Sequence, residues 1–348
     1  MRACQLVKYN APHEIRVIPT PTPSSLRSHE LLIKVAVASL CHSDLEYVKG
    51  HLDCTLPVTA SHEGTGTVLA VGDGVDRFKV GDRVMAGQTF GRCDECEICK
   101  GPENYRHYCP NRETMMSVQR NGAFQEYLVI DAREASRIPD EMAFETAAPL
   151  ACAGITVWRG ILQAELKPGQ WIGMVGSGGG LGHLGIQFAK ARGLKVVGVD
   201  ARDESLALSR EAGADVVLDA RLGKEEVARQ AWEATGGKGV DAALTLSDAK
   251  MAAATACAIT KNHGTMVQIA LPKEVSIPFE EYIFRDVRVK GSFLCSQKEA
   301  EQMLQCVVDH DIHIEKNIFH GLDQVPTAVE ALKTGAYRGK GVIVIEGA

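Results

Sequence analysis

The stretch that most restricts the fold lies near the middle of the chain. An apolar run at residues 171–175 passes directly into Gly176-Ser177-Gly178-Gly179-Gly180-Leu181-Gly182, and residues 183–192 then follow a helical pattern. A strand, a glycine turn and a helix in that order make the first unit of a parallel sheet covered by helices. Glycine is needed because a side chain would hold the backbone away from a pyrophosphate on the helix N-terminus, where free N–H groups and the helix dipole favour anions. A second apolar run at 195–199 ends in Asp200, about 20 residues on, where it can accept hydrogen bonds from an adenosine ribose diol. An acid there repels a 2′-phosphate, so NAD is favoured over NADP. Arg202 pulls the other way, since a guanidinium is the usual partner of such a phosphate.

Apolar runs at 216–218 and 241–244, each followed by a helical pattern, continue the βα alternation. Before about residue 150 the texture differs: short alternating segments such as 31–38 and 66–71 are separated by Pro, Gly and Asp turns, which reads as mostly β. A chain of 348 residues exceeds the usual size of one core. The expectation is therefore a mixed α/β chain of two domains. Residues 1–152 form a mostly-β domain, 153–286 a doubly wound parallel-sheet domain, and 287–348 a segment returning to the first. Within that return, 287–290 reads as a strand, 296–308 as a helix and 341–345 as a final strand.

A net charge of −6 gives no positive field for nucleic acid or an anionic membrane, and no run reaches the roughly 18 apolar residues of a membrane span. Met1-Arg2-Ala3-Cys4-Gln5 leads into a strand-like stretch rather than a secretory signal. The spacing of the 11 cysteines looks like metal ligation in a reducing compartment, so the chain is placed in the cytoplasm.

Cys93, Cys96, Cys99 and Cys109 put four thiolates within 17 residues. Four soft thiolates close a tetrahedral structural zinc site. An iron–sulfur cluster competes for the Cys-x2-Cys-x2-Cys run, but ferredoxins continue with cysteine after three residues, and here the gap is nine. A second group is dispersed: Cys41, His62 and Cys152. Two thiolates and one imidazole are the three protein ligands of a catalytic zinc that keeps a fourth position open. Sequence distance leaves their convergence undetermined.

Cys41-His42-Ser43-Asp44, His62-Glu63-Gly64-Thr65-Gly66, the cysteine lobe, Cys152-Ala153-Gly154-Ile155-Thr156-Val157, Gly179-Gly180-Leu181-Gly182 and Arg338-Gly339-Lys340 occur in that order. Over essentially the whole chain this resembles the zinc-containing alcohol dehydrogenases of the medium-chain dehydrogenase/reductase family, most closely the yeast-type branch. The resemblance implies a GroES-like β domain built from both chain ends and a Rossmann domain between them, with a cleft holding cofactor and zinc. It implies two zinc ions per chain: a catalytic one on Cys41, His62 and Cys152 with Glu63 behind it, and a structural one on Cys93, Cys96, Cys99 and Cys109. Asp44 would orient His62 through its second nitrogen. Ser43 would bond the substrate oxygen and pass on its proton, and His42 and Lys340 would lie near the cofactor pyrophosphate. The implied activity is hydride transfer between a small primary or secondary alcohol and NAD, in a homotetramer or homodimer.

Three departures stand out. The family's usual spacing of seven residues puts the last lobe ligand on His107, whereas Cys109 lies two further on and fits the Cys-Pro-Asn continuation, so cysteine is expected. The outer histidine of the family's proton relay falls on Glu46, with His51 read as a solvated loop residue. Ser177 occupies the first glycine of the usual fingerprint. Residues 50–57 with Thr89 and Phe90 are expected to line the substrate pocket. That region lacks the tryptophans of the yeast type, which points to a larger or more polar alcohol than ethanol. Two rival readings are a zinc-free reductase of quinones or activated alkenes, and a non-catalytic, zinc-lobed cofactor-binding protein.

Overall fold

The computed structural model describes residues 1–336 and 338–345. It divides into two compact units. The first holds Met1–Ile155, Cys295–Val308 and the described residues from Lys316 on; the second holds Thr156–Leu294 and Asp309–Glu315.

The first unit is built on a mostly antiparallel sheet in the order Ser136–Arg137, Arg83–Met85, Glu63–Val71, Glu30–Ser39, Lys340–Val344, Lys316–His320, with Tyr127–Asp131 also paired to Glu30–Ser39. The last two strands run parallel to each other. Leu31, Ile33 and Val35 alternate along the central strand into a core with Val68, Val84, Phe124, Leu128, Ile130 and Ile343. Each such side chain contributes about 1.5–3 kcal/mol by leaving water. Register then decides what stands at the strand's far end, where Ser39 faces Glu63 on one side and Val342 on the other.

The second unit is a parallel sheet ordered Val216–Asp219, Lys195–Asp200, Trp171–Val175, Val240–Thr245, Thr260–Gln268, Arg288–Gly291. Its core joins Val175, Val197, Val199, Leu218, Val240, Ala243 and Met266. Strand order reverses beside Trp171–Val175, and in open parallel sheets the carboxyl end at that reversal is where ligands bind.

The return to the first unit comes later than the expected residue 287. Arg288–Gly291 pairs in parallel with Thr260–Gln268, and Val287 is buried in the second core, so this segment completes the Rossmann-type sheet as its edge strand. The helix Gln297–Asp309 starts in the first unit, but Asp309–Glu315 belongs to the second. There the Gln187 amide donates to the His313 carbonyl at 2.8 Å and accepts from the His313 N–H at 2.9 Å. Among the described residues, no helix is long and apolar enough to cross a membrane.

A Cβ at Gly66 would lie 2.0 Å from the Lys34 carbonyl oxygen across the central ladder. Gly66→Ala is expected to destabilise the protein by roughly 1–3 kcal/mol through forced backbone movement. At Gly291 a Cβ meets nothing within 4 Å, and Gly291→Ala should leave the denaturant midpoint nearly unchanged. Equal midpoints for the two variants would contradict this account.

Candidate active site and metal centres

Strand Glu30–Ser39 ends at Leu40, and Cys41 then caps the helix His42–Val48. The buried Asp44 carboxylate reaches back from that helix, accepting from the Cys41 N–H at 2.9 Å and the Ser61 N–H at 3.1 Å. Ser61 has a left-handed φ of 69° and its hydroxyl donates to the Ser39 carbonyl at 2.9 Å, which aims the following His62. Cys152 sits in a π-helical turn, Leu150–Gly154, pinned by the Gln88 amide donating to the Ala151 carbonyl at 3.1 Å.

These three segments bring the ligand atoms of Cys41, His62, Glu63 and Cys152 within 4.8 Å of one another. The two sulfurs are 3.8 Å apart. Sulfurs each bound at about 2.3 Å to one tetrahedral zinc stand about 3.8 Å from each other, so the spacing already suits a shared ion. His62 Nε2 is buried with no hydrogen-bond partner, the state expected of a nitrogen reserved for a metal. The two sulfurs and the imidazole therefore fit zinc, with the Glu63 carboxylate as a fourth group in the same cluster.

Electrostatics agree. The Cys41 thiol is held well below the usual thiol range, first by the hydrogen bond from Cys152 and then, against burial, by His62 and Lys340. Burial opposes charge on His62, but Cys41, Asp44 and Glu63 outweigh it and lift the ring to about 9. Burial pushes Glu63 up to about 7 while Lys340 pulls it down.

Several expected roles are corrected. Both Asp44 oxygens accept from backbone N–H groups, so Asp44 shapes the ligand-bearing turns, and the Ser117 hydroxyl lies 3.5 Å from His62 Nδ1. Ser117 is buried with a φ of 61°, and no sequence signal marked it. Glu46 is partly exposed and pairs with Lys49 and His51, each at 2.6 Å, and His51 is exposed, as expected of a solvated loop residue. The Phe90 ring is buried, with the Arg120 guanidinium 3.6 Å from its centroid. Of the 50–57 segment, Cys54 packs with Tyr9, Tyr47 and Val58 instead of standing open. Lys340, expected at a pyrophosphate, has its ammonium on Glu63 at 2.6 Å and on the Leu40 carbonyl at 2.5 Å.

In the lobe, sulfur–sulfur distances are 3.9 Å for Cys93 and Cys99, 3.9 Å for Cys96 and Cys109, and 3.6 Å for Cys109 and Cys93. All four sulfurs lie within one metal-sized cluster. Cys109 is thus the fourth donor; His107 instead stacks on Tyr108 with ring centroids 4.4 Å apart. Backbone N–H groups of Glu95 and Cys96 lower Cys93 to about 6, so a thiolate is available at neutral pH. The lobe is tied down at its base, where Arg92 bridges Asp94 at 2.7 Å and Glu134 at 3.1 Å.

In the glycine loop, Gly176 has a φ of 94°, and a Cβ on Gly178 would strike the Ser205 carbonyl oxygen at 1.9 Å. Asp200 accepts from the Gly178 N–H at 2.9 Å and so organises the loop from the neighbouring strand. Ser177 is accommodated because its buried hydroxyl bonds Ser209 at 2.7 Å, while Gly198 leaves it room. The helix Gly182–Ala191 follows. Arg202 is exposed and caps the helix Asp203–Glu211.

A cluster of four thiols, a second cluster of two thiols, an imidazole and a carboxylate, and a nucleotide-type parallel sheet define a zinc-dependent, nucleotide-linked dehydrogenase. Residues 27–140 match the family described as alcohol dehydrogenase GroES-like domain, and residues 180–309 match zinc-binding dehydrogenase. Alcohol dehydrogenase 1 of Emericella nidulans is 33% identical over 301 residues, covering 85% of this chain and 84% of that protein. Alcohol dehydrogenase 2 of Caenorhabditis elegans is 30% identical over 342 residues, covering 97% and 94%. The crystal structure of the alcohol dehydrogenase from the archaeon Aeropyrum pernix matches with a TM-score of 0.87 at 27% identity, covering 99% of this chain and 100% of that one. The chain belongs to the zinc-containing alcohol dehydrogenases of the medium-chain dehydrogenase/reductase family.

Burial pushes Glu134, beneath the lobe, from 4.5 up to about 7, with Arg92 opposing. A carboxyl raised in the folded state stabilises it fully below the unfolded pKa, and that contribution is lost as pH rises through the folded value. Glu134→Gln fixes the neutral form. Relative to that variant, the wild type is expected to lose up to about 3 kcal/mol of stability between pH about 4.5 and about 8. Denaturant midpoints of both proteins across this range check it, and parallel pH profiles would contradict it.

Proposed function

We propose that this zinc-type alcohol dehydrogenase transfers a hydride between a primary or secondary alcohol and NAD, yielding an aldehyde or ketone. The observation that carries the reading is the meeting of Cys41, His62 and Cys152, from three separated segments, with sulfurs 3.8 Å apart and an imidazole nitrogen without a partner. Zinc held by these residues would supply Lewis acidity that eases loss of the alcohol proton at neutral pH. Ser43, on the first turn of the helix that Cys41 caps, accepts the alcohol proton, and Glu46 one turn on, paired with His51, is its route outward. The same convergence argues against the zinc-free reductase, which would have no use for three buried donors. Zinc on the four lobe cysteines brings the total to two per chain.

NAD rests on the loop Gly176 to Gly182, with Gly179 leaving room for close backbone approach, Asp200 facing the adenosine ribose and Arg202 nearby. The cytoplasm is the proposed location, supported by 11 cysteines all free of disulfides. A homo-oligomer, dimer or tetramer, is supported by Leu271, Phe279, Ile283 and Phe284, all exposed in the segment that leads into the edge strand Arg288–Gly291. Exposed apolar surface beside an unpaired edge is a liability that association removes. Light scattering should give at least twice the 37.5 kDa chain mass; a monomer at micromolar concentration would overturn the oligomer.

Following nicotinamide reduction in the near ultraviolet with NAD and NADP, over ethanol, longer and benzylic alcohols, tests the activity. NAD should exceed NADP, and the larger alcohols should exceed ethanol. Cys41→Ala and Cys152→Ala, still folded, should lose roughly a thousandfold in kcat/KM, the several kcal/mol that a Lewis acid contributes. Undiminished turnover in those variants, or in chelator-stripped protein, would reject the zinc mechanism.

A further inference from the structure

Glu63 and Lys340 form a buried ion pair contributed by opposite ends of the chain. The Glu63 side chain is fully enclosed and that of Lys340 is 6% exposed, with Nζ 2.6 Å from Oε1. The sheet register enforces the meeting, because Ser39 pairs with Glu63 on one side and Val342 on the other, and the Lys340 ammonium is further held by the Leu40 carbonyl. The second carboxylate oxygen, Oε2, is buried without a partner, and Glu63 lies in the same 4.8 Å cluster as the three metal donors. Carboxylate oxygen is a competent zinc ligand, and a fourth protein ligand closes a tetrahedral site.

Charge decides whether Glu63 takes that position. Two thiolates neutralise a divalent ion, which leaves the carboxylate as one uncompensated buried negative charge, and Lys340 supplies the matching positive one. Removing one partner of a buried pair leaves a charge whose burial costs several kcal/mol. Without Lys340, the nearest cation available to Glu63 is the metal itself.

We propose that Lys340 is a positioning residue that holds Glu63 back from the catalytic metal and thereby keeps the substrate's coordination position open. This rests on the zinc reading above. It makes the pair part of metal-site chemistry whether or not cofactor is bound, so its test uses none.

The test compares cobalt-substituted wild type, Lys340→Met and Lys340→Met/Glu63→Gln, titrated with azide while the visible cobalt bands are recorded. Wild-type bands should shift as azide enters the open position. Those of Lys340→Met should stay unmoved, and the double variant should regain the response. In the zinc forms, Lys340→Met should surrender its catalytic zinc to a chelator roughly tenfold more slowly than wild type or the double variant, the effect of about 1.4 kcal/mol. Azide-responsive bands in Lys340→Met, or failure of Glu63→Gln to restore them, overturns the proposal. If Lys340→Met folds only when metal is supplied while the double variant folds without it, the proposal is upheld. If Lys340→Met stays unfolded in excess metal while the double variant folds, Glu63 has not reached the metal and the proposal fails. Wild-type bands indifferent to azide would instead sink the open-site reading itself.

Discussion

Strand Glu30–Ser39 is bonded on one side to Glu63–Val71 and on the other to Lys340–Val344, and this ladder sets where charge can stand in the first unit. Side chains alternate across a strand, so a slip of one residue would carry Glu63 to the opposite face and separate it from Lys340. The slip is prevented elsewhere, by Leu31, Ile33 and Val35 locked in the core. Apolar burial far from the metal therefore fixes the relation among Cys41, just beyond the strand, Glu63 beside its end, and Lys340 across it.

The two metal sites solve different problems. The lobe cysteines lie close in sequence, so closing their loops costs little entropy and the spacing alone makes the site readable. Their sulfurs need no neighbouring fold beyond a base, which Arg92, Asp94 and Glu134 provide. Cys41, His62 and Cys152 converge only after the sheet has formed and the π-helical turn Leu150–Gly154 has been laid against it. A site assembled by the global fold can retain an open position, because each donor is held by its own element and none relies on a fourth.

Legibility follows the same division. The glycine loop was readable because strand, turn, helix and Asp200 are local signals, and even Ser177 is explained by contacts within that unit. Cys109 was readable from ligand chemistry once His107 was weighed against it. What sequence did not carry is direction in space. The side chain of Asp44 could equally have met an imidazole or two backbone N–H groups, and the turn geometry chose the latter. Phe90 reads as a pocket residue until Arg120 is found on its face. Residues 288–291 look like any short strand, and only the ladder with Thr260–Gln268 assigns them to the second sheet.

Backbone conformation marks the metal pocket independently of its charges. Ser61 and Ser117, neither of them glycine, hold left-handed φ values of 69° and 61° beside His62, and Cys152 occupies a π-helical turn. Such conformations cost of order 1–3 kcal/mol each and persist only where surrounding contacts over-determine them. Ser61 is so determined: its N–H is taken by Asp44 and its hydroxyl by the Ser39 carbonyl. The strain aims His62 Nε2 into a space where it has no protein partner, and burial leaves Glu63 dependent on one cation. A chain under pressure for stability alone would relax these turns and fill the pocket with apolar side chains. Their retention is intelligible if a metal repays the strain on binding, and if the same strain prevents the protein from satisfying that metal completely.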